Sequence, residues 1–184
     1  DCSPDNSVDI IRDVISRYPE RDARIVSHSE NRGLPTARNT GLELATGKYV
    51  FHCDGDDWIE PDMLEKMYAV AENANADIVY CDFYLSYEKN ERYMSNPCLE
   101  SREELLRQGF LSGAMKYNVW NKLVRRSLYT DNGILFPDGH SMGEDMTMIR
   151  LTACAERVKY LPEALYHYVQ TNSSAFSKTQ SQKQ

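Results

Sequence analysis

The sequence lacks most of the features that mark secreted, membrane-spanning or nucleic-acid-binding proteins. Its five cysteines form no C-x-x-C pair, and an odd, scattered set is typical of reduced cytosolic thiols rather than a disulfide framework or zinc site. No apolar run approaches the roughly 20 residues of a membrane-spanning helix, and no signal peptide is apparent. Positive charge is also scarce. The formal net charge of −7 argues against a nucleic-acid partner, which would favour a basic surface.

What is present indicates one globular domain. At 184 residues, with 41% hydrophobic and 27% charged residues, the chain is long enough to bury a core. It opens on the turn sequence D-C-S-P with no strand before it, so we expect it to begin inside a domain. We expect residues 173–184, which are rich in Gln, Ser and Lys, to form a disordered tail.

Helical and strand patterns alternate along the first 85 residues. Helices are predicted from Asn6 or Ser7, from Pro35 to Ala45 and from Pro61, and strands over residues 24–27, 48–53 and 78–84. This alternation predicts an α/β fold in which a mostly parallel sheet is sandwiched by helices. Later in the chain we predict a helix opened by the capping box at 101–104, a helix around 148–155, and strands at 158–160 and 164–169.

The strongest local pattern is F-H-C-D-G-D-D-W at residues 51–58. Asp54, Asp56 and Asp57 follow a predicted buried strand, at the end where open α/β sheets bind ligands. Clustered carboxylates repel one another and usually share a cation. Their hard oxygen ligands select Mg²⁺ or Mn²⁺, completed by substrate phosphates. From the residues alone, a D-G turn with solvated acids explains the pattern equally well.

A second segment is N-R-G-L-P-T-A-R-N-T-G at residues 31–41. Arg38 lies in the first turns of a predicted helix, where the backbone N–H groups and the dipole already favour anions. It could brace a diphosphate or a nucleotide there. A surface arginine that pairs with Glu43 or another neighbour is the commoner explanation of such a residue.

A third segment is H-S-M-G-E-D at residues 140–145. Glu144 and Asp145 fall in the first turn of the following helix, where complementarity to the helix dipole explains acids by itself. A catalytic role for Asp145 requires it to face the same pocket as Asp56. Sequence spacing leaves that condition open.

A fourth, weaker segment is V-W-N-K-L at residues 119–123. Trp120 could stack on a sugar ring, although a lone tryptophan is more often part of a core. Lys122 could reach a phosphate, although a lysine whose stem lies along the surface is the commoner case.

Taken in order, these segments resemble the large inverting family two of glycosyltransferases, which have the glycosyltransferase-A fold. The resemblance runs through D-C-S-P-D-N-S, N-R-G-L-P-T-A-R-N-T-G-L, A-T-G-K-Y-V-F-H-C-D-G-D-D-W, V-W-N-K-L and G-E-D-M, over roughly residues 1–170. Family members usually begin with a strand and a helix that precede the acidic turn in which this chain starts, and Cys2 stands where glycine is usual. The resemblance implies that the first strand-helix unit is absent. Residues 1–85 would form an incomplete nucleotide-sugar-binding half and residues 86–172 the acceptor-side half.

The resemblance also implies roles for single residues. The catalytic base would be Asp145, and the ligands of Mn²⁺ or Mg²⁺ would be Asp54 and Asp56. The residues in contact with the nucleotide-sugar would be Asp1, Arg38, Asp54 and Asp57. Those in contact with the sugar or the acceptor would be Trp120, Lys122 and Glu144. A sugar would pass from a nucleotide-diphosphate donor, a UDP-sugar, to an acceptor hydroxyl with inversion.

The resemblance extends to the setting of the reaction. It implies a saccharide or lipid-linked saccharide acceptor, and a role in the synthesis of cell-surface polysaccharide or glycolipid. It also implies a cytoplasmic location, with peripheral association at the inner face of the plasma membrane.

Two other hypotheses stay open at this point. A non-catalytic nucleotide-sugar-binding module, or an inactive fragment, would explain a chain that begins inside a domain. A metal-dependent phosphate enzyme, such as a nucleotidyltransferase or phosphohydrolase, would also place carboxylates after a strand. The sequence contains no G-x-x-x-x-G-K-[ST] phosphate loop, which removes only the P-loop class.

Overall fold

The structure is a computed structural model that describes residues 1–138 and 143–170. The predicted tail at 173–184, and the first three residues of the H-S-M-G-E-D segment, lie outside the described residues. The chain forms two units. The described residues of the first unit are 1–45, 136–138 and 143, and those of the second are 46–135 and 144–170. The expected functional division at residue 85 stays a prediction.

The first unit contains the helices α1, Ser7–Ser16, and α2, Leu34–Leu44. Both confirm the sequence predictions, and Pro35 lies in the first turn of α2, where its missing N–H costs nothing. The strand predicted over residues 24–27 is wrong. No described segment pairs with these residues, and a strand needs a neighbour to complete its backbone hydrogen bonds.

The second unit is built on a six-stranded sheet. Its strands are β1 Tyr49–Phe51, β2 Trp58–Ile59, β3 Ile78–Ser86, β4 Glu91–Met94, β5 Lys122–Arg125 and β6 Val158–Val169. Its helices are α3 Met63–Ala74, α4 Arg102–Glu104, which continues as a π-helix over Leu105–Leu111, α5 Arg126–Asp131 and α6 Glu144–Cys154. Ser101 caps α4 as predicted, because its Oγ accepts a hydrogen bond from the Glu104 N–H. No helix in the described ranges is long and apolar enough to cross a bilayer.

The order of strands corrects the prediction of a mostly parallel sheet. The sheet runs β1-β5-β3-β6-β2 with β4 also paired to β3, and of the pairings among the described strands only β3–β6 is parallel. The sheet is therefore mixed. The crossover from β1 through α3 to β3 does leave these two strands pointing the same way, as a β-α-β pattern predicts. However, β5 lies between them and runs antiparallel to both.

The two late strands predicted at 158–160 and 164–169 form one strand, β6. Its parallel register with β3 shifts after Cys81, where the partner changes from Leu161 to Ala164. Pro162 lies in this irregularity, and proline has no N–H to donate to the ladder. The shift explains why the sequence pattern breaks while the strand continues.

The core of the second unit lies between α3 and the sheet. Met63, Met67 and Ala71 recur at intervals of four on α3, and all three are completely buried. They pack in one cluster with Val79 of β3 and Tyr166 of β6. Phe51 of β1, the strand that precedes the acidic turn, is partly buried against this cluster.

Candidate active site

The acidic turn D-G-D-D connects β1 to β2 in the second unit. The Asp57 N–H donates to the Asp54 carbonyl oxygen at 3.2 Å and closes the turn. At Gly55 an added Cβ would meet no atom within 4 Å, so the apex of the turn is open. Asp56 is exposed beside this apex, and Asp54 is half-buried. The turn thus presents carboxylates at the end of a buried strand, where the sequence pattern predicts a ligand site.

Asp57 is fixed inside this turn. Its Oδ2 accepts a hydrogen bond from the Tyr166 hydroxyl at 2.7 Å, and its Oδ1 accepts one from the Val169 N–H at 2.8 Å. The Tyr166 oxygen in turn accepts from the Asp54 N–H at 3.1 Å. Burial raises the pKa of Asp57, and these two hydrogen bonds oppose the rise by stabilising the carboxylate. Asp57 therefore anchors the turn to β6.

Trp58, which directly follows Asp57, provides a second anchor to β6. It pairs in register with His167 of β6, and the two rings stack with centroids 3.3 Å apart. His167 is buried, with Nδ1 2.8 Å from a Glu91 oxygen and Nε2 3.0 Å from a Glu60 oxygen. Sequence analysis missed these β6 partners. The pattern A-L-Y-H-Y-V predicts a strand, but no local pattern states which strand packs beside the turn.

The donors of the turn suit a hard divalent cation. Asp56 makes no hydrogen bond or ion pair with another residue in the described ranges, and its charge acts on Asp57 together with that of Asp54. Within the described part of the chain, no three Asp, Glu, His or Cys side chains converge as a complete metal site. One or two carboxylates with substrate phosphates and water are the usual ligands of Mg²⁺. Asp54 and Asp56 therefore fit a cation that the substrate helps to hold.

The second acidic pair begins α6. Gly143 precedes it with a φ of +59°, and an added Cβ would lie 2.7 Å from Pro137 Cγ, so only glycine fits without a shift. Glu144 is half-buried, whereas Asp145 is exposed. Asp145 Oδ1 accepts a hydrogen bond from the Met146 N–H at 2.8 Å. The helix start thus presents one carboxylate to solvent and turns its neighbour inward.

Trp120 lies in the core rather than at the surface. Only 6% of it is exposed, and its ring stacks on Tyr166 with centroids 4.4 Å apart while Phe83 meets it edge-on at 4.9 Å. A sugar cannot stack on a ring face that is already covered. The expected sugar contact is thus at odds with this packing, and the commoner alternative of core packing matches it.

Lys122 is also buried, with 1% of its surface exposed. Its Nζ lies 2.5 Å from the Asn118 carbonyl oxygen and 2.8 Å from Asn121 Oδ1. Burial lowers the pKa of Lys122 to about 7, and the charge of Glu144 opposes that fall. The alternative of a lysine lying along the surface is therefore wrong, and an open contact with substrate is not what the structure presents.

Asp1 belongs to the first unit, where it orders the turn before α2. Its carboxylate accepts hydrogen bonds from the Arg32 N–H at 2.9 Å and the Gly33 N–H at 2.8 Å. His28 Nδ1 lies 2.8 Å from Asp1 Oδ1, and His28 Nε2 lies 2.9 Å from the Thr40 hydroxyl. Asp1 thus joins the N-terminus of the chain to both the turn and the helix that carry the N-R-G-L-P-T-A-R-N segment.

Arg38 belongs to the same unit and is 7% exposed. Its guanidinium carbon lies 5.5 Å from the centroid of the Phe136 ring, a cation–π distance. The neighbouring Asn39 side chain binds both backbone groups of Phe136, at 2.8 Å and 2.9 Å. The surface arginine paired with Glu43 is therefore wrong, since α2 directs Arg38 inward against the Phe136 segment.

The mixed sheet covered by helices is typical of the glycosyltransferase-A fold. Residues 1–143 match the family described as Glycosyl transferase family 2. The match covers more than half of the chain, and the chain therefore belongs to this family. The family prediction from the sequence is confirmed.

Relatives with known names agree with this assignment. The uncharacterized glycosyltransferase EpsJ of Bacillus subtilis is 37% identical over 185 residues, covering 95% of this chain and 52% of EpsJ. The cholesterol galactosyltransferase of Borreliella burgdorferi is 33% identical over 148 residues, covering 71% of this chain and 40% of the relative. The chain spans about half the length of the curated relatives that it matches.

A solved structure confirms the fold. The crystal structure of residues 1–349 of Staphylococcus aureus TarS in complex with UDP-GlcNAc superposes with a TM-score of 0.75 at 20% identity. The superposition covers 96% of this chain and 50% of the TarS chain. The second unit thus has the mixed, helix-covered sheet of the glycosyltransferase-A fold.

Proposed function

We propose that this protein transfers a sugar from a UDP-sugar to an acceptor hydroxyl, with inversion of the anomeric configuration and with help from Mn²⁺ or Mg²⁺. One observation carries the proposal: each acidic segment half-buries one carboxylate, Asp57 or Glu144, and leaves its neighbour, Asp56 or Asp145, exposed to solvent. Exposed carboxylates on rigid elements suit metal binding and proton transfer.

The acidic turn forms the donor side. Asp56 and Asp54 would hold the cation, and Asp57 would contribute to donor binding by keeping the turn in place. When bound, the metal neutralises negative charge on the diphosphate leaving group. Asp1 and Arg38 would contact the nucleotide. The UDP-GlcNAc complex of TarS supports a uridine diphosphate donor.

The E-D pair forms the acceptor side. Asp145 would accept the proton from the acceptor hydroxyl while that oxygen attacks the anomeric carbon opposite the leaving group. One such displacement inverts the configuration. TarS is named as a poly(ribitol-phosphate) beta-N-acetylglucosaminyltransferase. Because UDP-GlcNAc carries its sugar in the α linkage, a β product from that donor requires inversion.

The acceptor and the location follow the relatives' names. A cholesterol galactosyltransferase acts on a lipid, and EpsJ and TarS are glycosyltransferases of bacteria. We therefore propose a saccharide or lipid-linked saccharide acceptor, in the synthesis of cell-surface polysaccharide or glycolipid. We also propose that the enzyme acts in the cytoplasm, in peripheral contact with the inner face of the membrane.

Calorimetric titration of UDP into the whole protein, with and without Mn²⁺, tests the donor side. We expect Mn²⁺-dependent binding that Asp56→Asn weakens about 100-fold or more, because even partners outside the ligand shell cost 10–100-fold. The exposed Glu65 on α3 offers a control, and Glu65→Gln should bind as the parent does. Equal UDP affinity with Mn²⁺ and with chelator would contradict the metal role. A product that retains the donor's anomeric configuration, measured by NMR, would contradict inversion.

A further inference from the structure

We propose that His167 is a positioning residue for donor binding, because its doubly protonated ring bridges Glu60 and Glu91 and thereby holds β2, the strand that follows the acidic turn. The inference has two parts. The charged bridge stands on hydrogen-bond geometry and burial alone, whereas its effect on the donor rests on the proposed function.

His167 is enclosed between two aromatic rings, and only 2% of it is exposed. Trp58 of β2 stacks on the imidazole with centroids 3.3 Å apart, and Tyr84 of β3 stacks on it with centroids 4.8 Å apart. The two rings come from the strands on either side of β6, so they cover opposite faces of the imidazole. Aromatic faces attract a cation at such distances. The position therefore suits a charged histidine.

The partners of the two ring nitrogens require a proton on each. Nε2 lies 3.0 Å from a Glu60 oxygen, and Nδ1 lies 2.8 Å from a Glu91 oxygen. Hydrogen bonds from Ser86 and His167 lower the pKa of Glu91, so this acid is ionised at neutral pH. An ionised carboxylate only accepts hydrogen bonds, whereas a neutral imidazole has a single N–H to donate. We therefore infer that His167 bridges the two carboxylates as a cation.

The two carboxylates hold different parts of the sheet. Glu60 directly follows β2, and its N–H donates to the Leu165 carbonyl oxygen of β6 at 2.8 Å. Glu91 begins β4, and its Oε1 also accepts a hydrogen bond from the Ser86 hydroxyl at 2.7 Å. Ser86 Oγ lies 3.2 Å from Nδ1 of His167 and can accept from it. Removing Glu91 thus leaves the ring an acceptor, whereas removing Glu60 releases the β2 side of the bridge.

β2 is a strand that needs such support. It has two residues, lies at the end of the sheet and pairs with β6, and a strand of this length makes few ladder hydrogen bonds. His167 holds Trp58 at its start through the ring face and Glu60 after its end through Nε2. Asp57 directly precedes β2, so a displacement of the strand is passed on to the carboxylates of the acidic turn.

Calorimetric titration of UDP with Mn²⁺ into the whole protein tests the positioning role. We expect His167→Phe, which keeps a ring between Trp58 and Tyr84, to weaken binding at least about fivefold, as loss of a supporting residue does at metal sites. Loss of a positive charge would by itself favour cation binding, so the expected effect has the opposite sign to a purely electrostatic one. Unchanged or tighter binding overturns the positioning role.

Two matched variants separate the hold on β2 from a general loss of charge. Glu60→Ala and Glu91→Ala each remove one carboxylate from the same ring, and 37% and 41% of these side chains are exposed. We expect Glu60→Ala to weaken Mn²⁺-dependent UDP binding at least about fivefold. Glu91→Ala should change it less than about twofold, because Ser86 remains as an acceptor. Equal effects of the two variants overturn the role of the bridge in holding β2.

NMR tests the charged bridge without reference to binding. The chain has four histidines, and the ring signal that disappears in His167→Phe is that of His167. At neutral pH the ¹⁵N spectrum of the parent should show a proton on both ring nitrogens of His167. A proton on one nitrogen alone overturns the bridge.

The comparison of Glu60→Ala with Glu91→Ala still decides the positioning role if His167→Phe does not fold. Absence of Mn²⁺-dependent UDP binding in the parent contradicts the proposed function and the donor role of His167 together. Binding in the parent without a difference between the two glutamate variants contradicts the donor role alone.

Discussion

The two acidic pairs of the second unit are alike in exposure but lie in different electrostatic surroundings. In the turn after β1, Asp57 is bonded internally and Asp56 is exposed. At the start of α6, Glu144 is half-buried and Asp145 is exposed. Asp57 is held by neutral donors, the Tyr166 hydroxyl and the Val169 N–H, whereas Glu144 lies within the influence of a buried lysine.

Because of this difference, we expect the two segments to respond differently to pH. A hydroxyl and a backbone N–H donate at every pH at which the fold exists, so the acidic turn keeps its anchor. The charge of Glu144 acts on Lys122, whose pKa burial lowers to about 7. We therefore expect the donor side to be rigid across the neutral range and the base side to be sensitive to pH.

The largest expected effect is on catalysis by an exposed acid. Asp145→Asn should lower kcat by about 1,000-fold, since general base catalysis contributes about 10²- to 10⁴-fold. Asp145 is exposed and away from the core, so the free energy of unfolding should change by less than about 0.5 kcal/mol. Steady-state assays of the whole protein and urea titrations measure the two quantities.

The matched control for this experiment lies just beyond the other end of α6. Glu156 is an exposed acid after the helix, and Glu156→Gln should leave kcat unchanged. Full activity in Asp145→Asn would contradict the role of Asp145 as the catalytic base. The E-D pair would then differ in function from the acidic turn.

The next effect is the pH dependence of stability. Burial lowers the pKa of Lys122 from its ordinary value of 10.5 to about 7 in the fold. Between these values the unfolded chain binds a proton that the folded chain lacks, so the free energy of unfolding rises with increasing pH. From pH 7 to 9.5 we expect Lys122 to contribute a rise on the order of 2–3 kcal/mol. Lys122→Met should remove it.

Urea titrations at the two pH values check this prediction. Lys116→Met keeps every other titrating group and should show the same pH dependence as the parent. If the free energy of unfolding rises equally in Lys122→Met and in the parent, the buried amine does not titrate between the two pH values.

A smaller effect is expected at the neutral anchor. Tyr166→Phe removes the donor to Asp57 and the acceptor for the Asp54 N–H, at a buried site. Leaving such groups unpaired costs about 1–3 kcal/mol, and thermal unfolding should show it. Mn²⁺-dependent UDP affinity should fall with it because the turn loosens. Tyr18→Phe, at an exposed tyrosine of the first unit, should change neither.

The sequence predicted those helices and strands whose formation depends on residues close together in the chain. The spacing of Met63, Met67 and Ala71 gave α3, and the capping box gave the start of α4, because both depend on residues a few positions apart. The mixed sheet could not be predicted in this way. No residue near Lys122 in the sequence indicates that β5 inserts between β1 and β3, which point the same way.

The same limit applies to the candidate site. The motifs identified the acids, because a run of carboxylates after an apolar strand is visible in the sequence. Which acid is exposed depends on Tyr166 and Val169, more than 100 positions away from Asp57. The burial of Trp120 and Lys122 has the same origin, because strands distant in sequence cover both side chains.

The smallest expected effect is also the sharpest test of the division of roles. Asp56 lies beside Asp54 and Asp57, and its charge raises the pKa of Asp57. Asp56→Asn removes that repulsion and no internal hydrogen bond, so stability without metal should stay the same or rise by up to about 0.5 kcal/mol. Asp57→Ala should instead lose about 1–3 kcal/mol, because the Tyr166 hydroxyl and the Val169 N–H lose their acceptor. Urea titrations with chelator compare the two variants. Equal losses in the free energy of unfolding would mean that Asp56 supports the turn as Asp57 does. If Asp56 instead serves to bind a ligand, Asp56→Asn should lose UDP binding without losing stability.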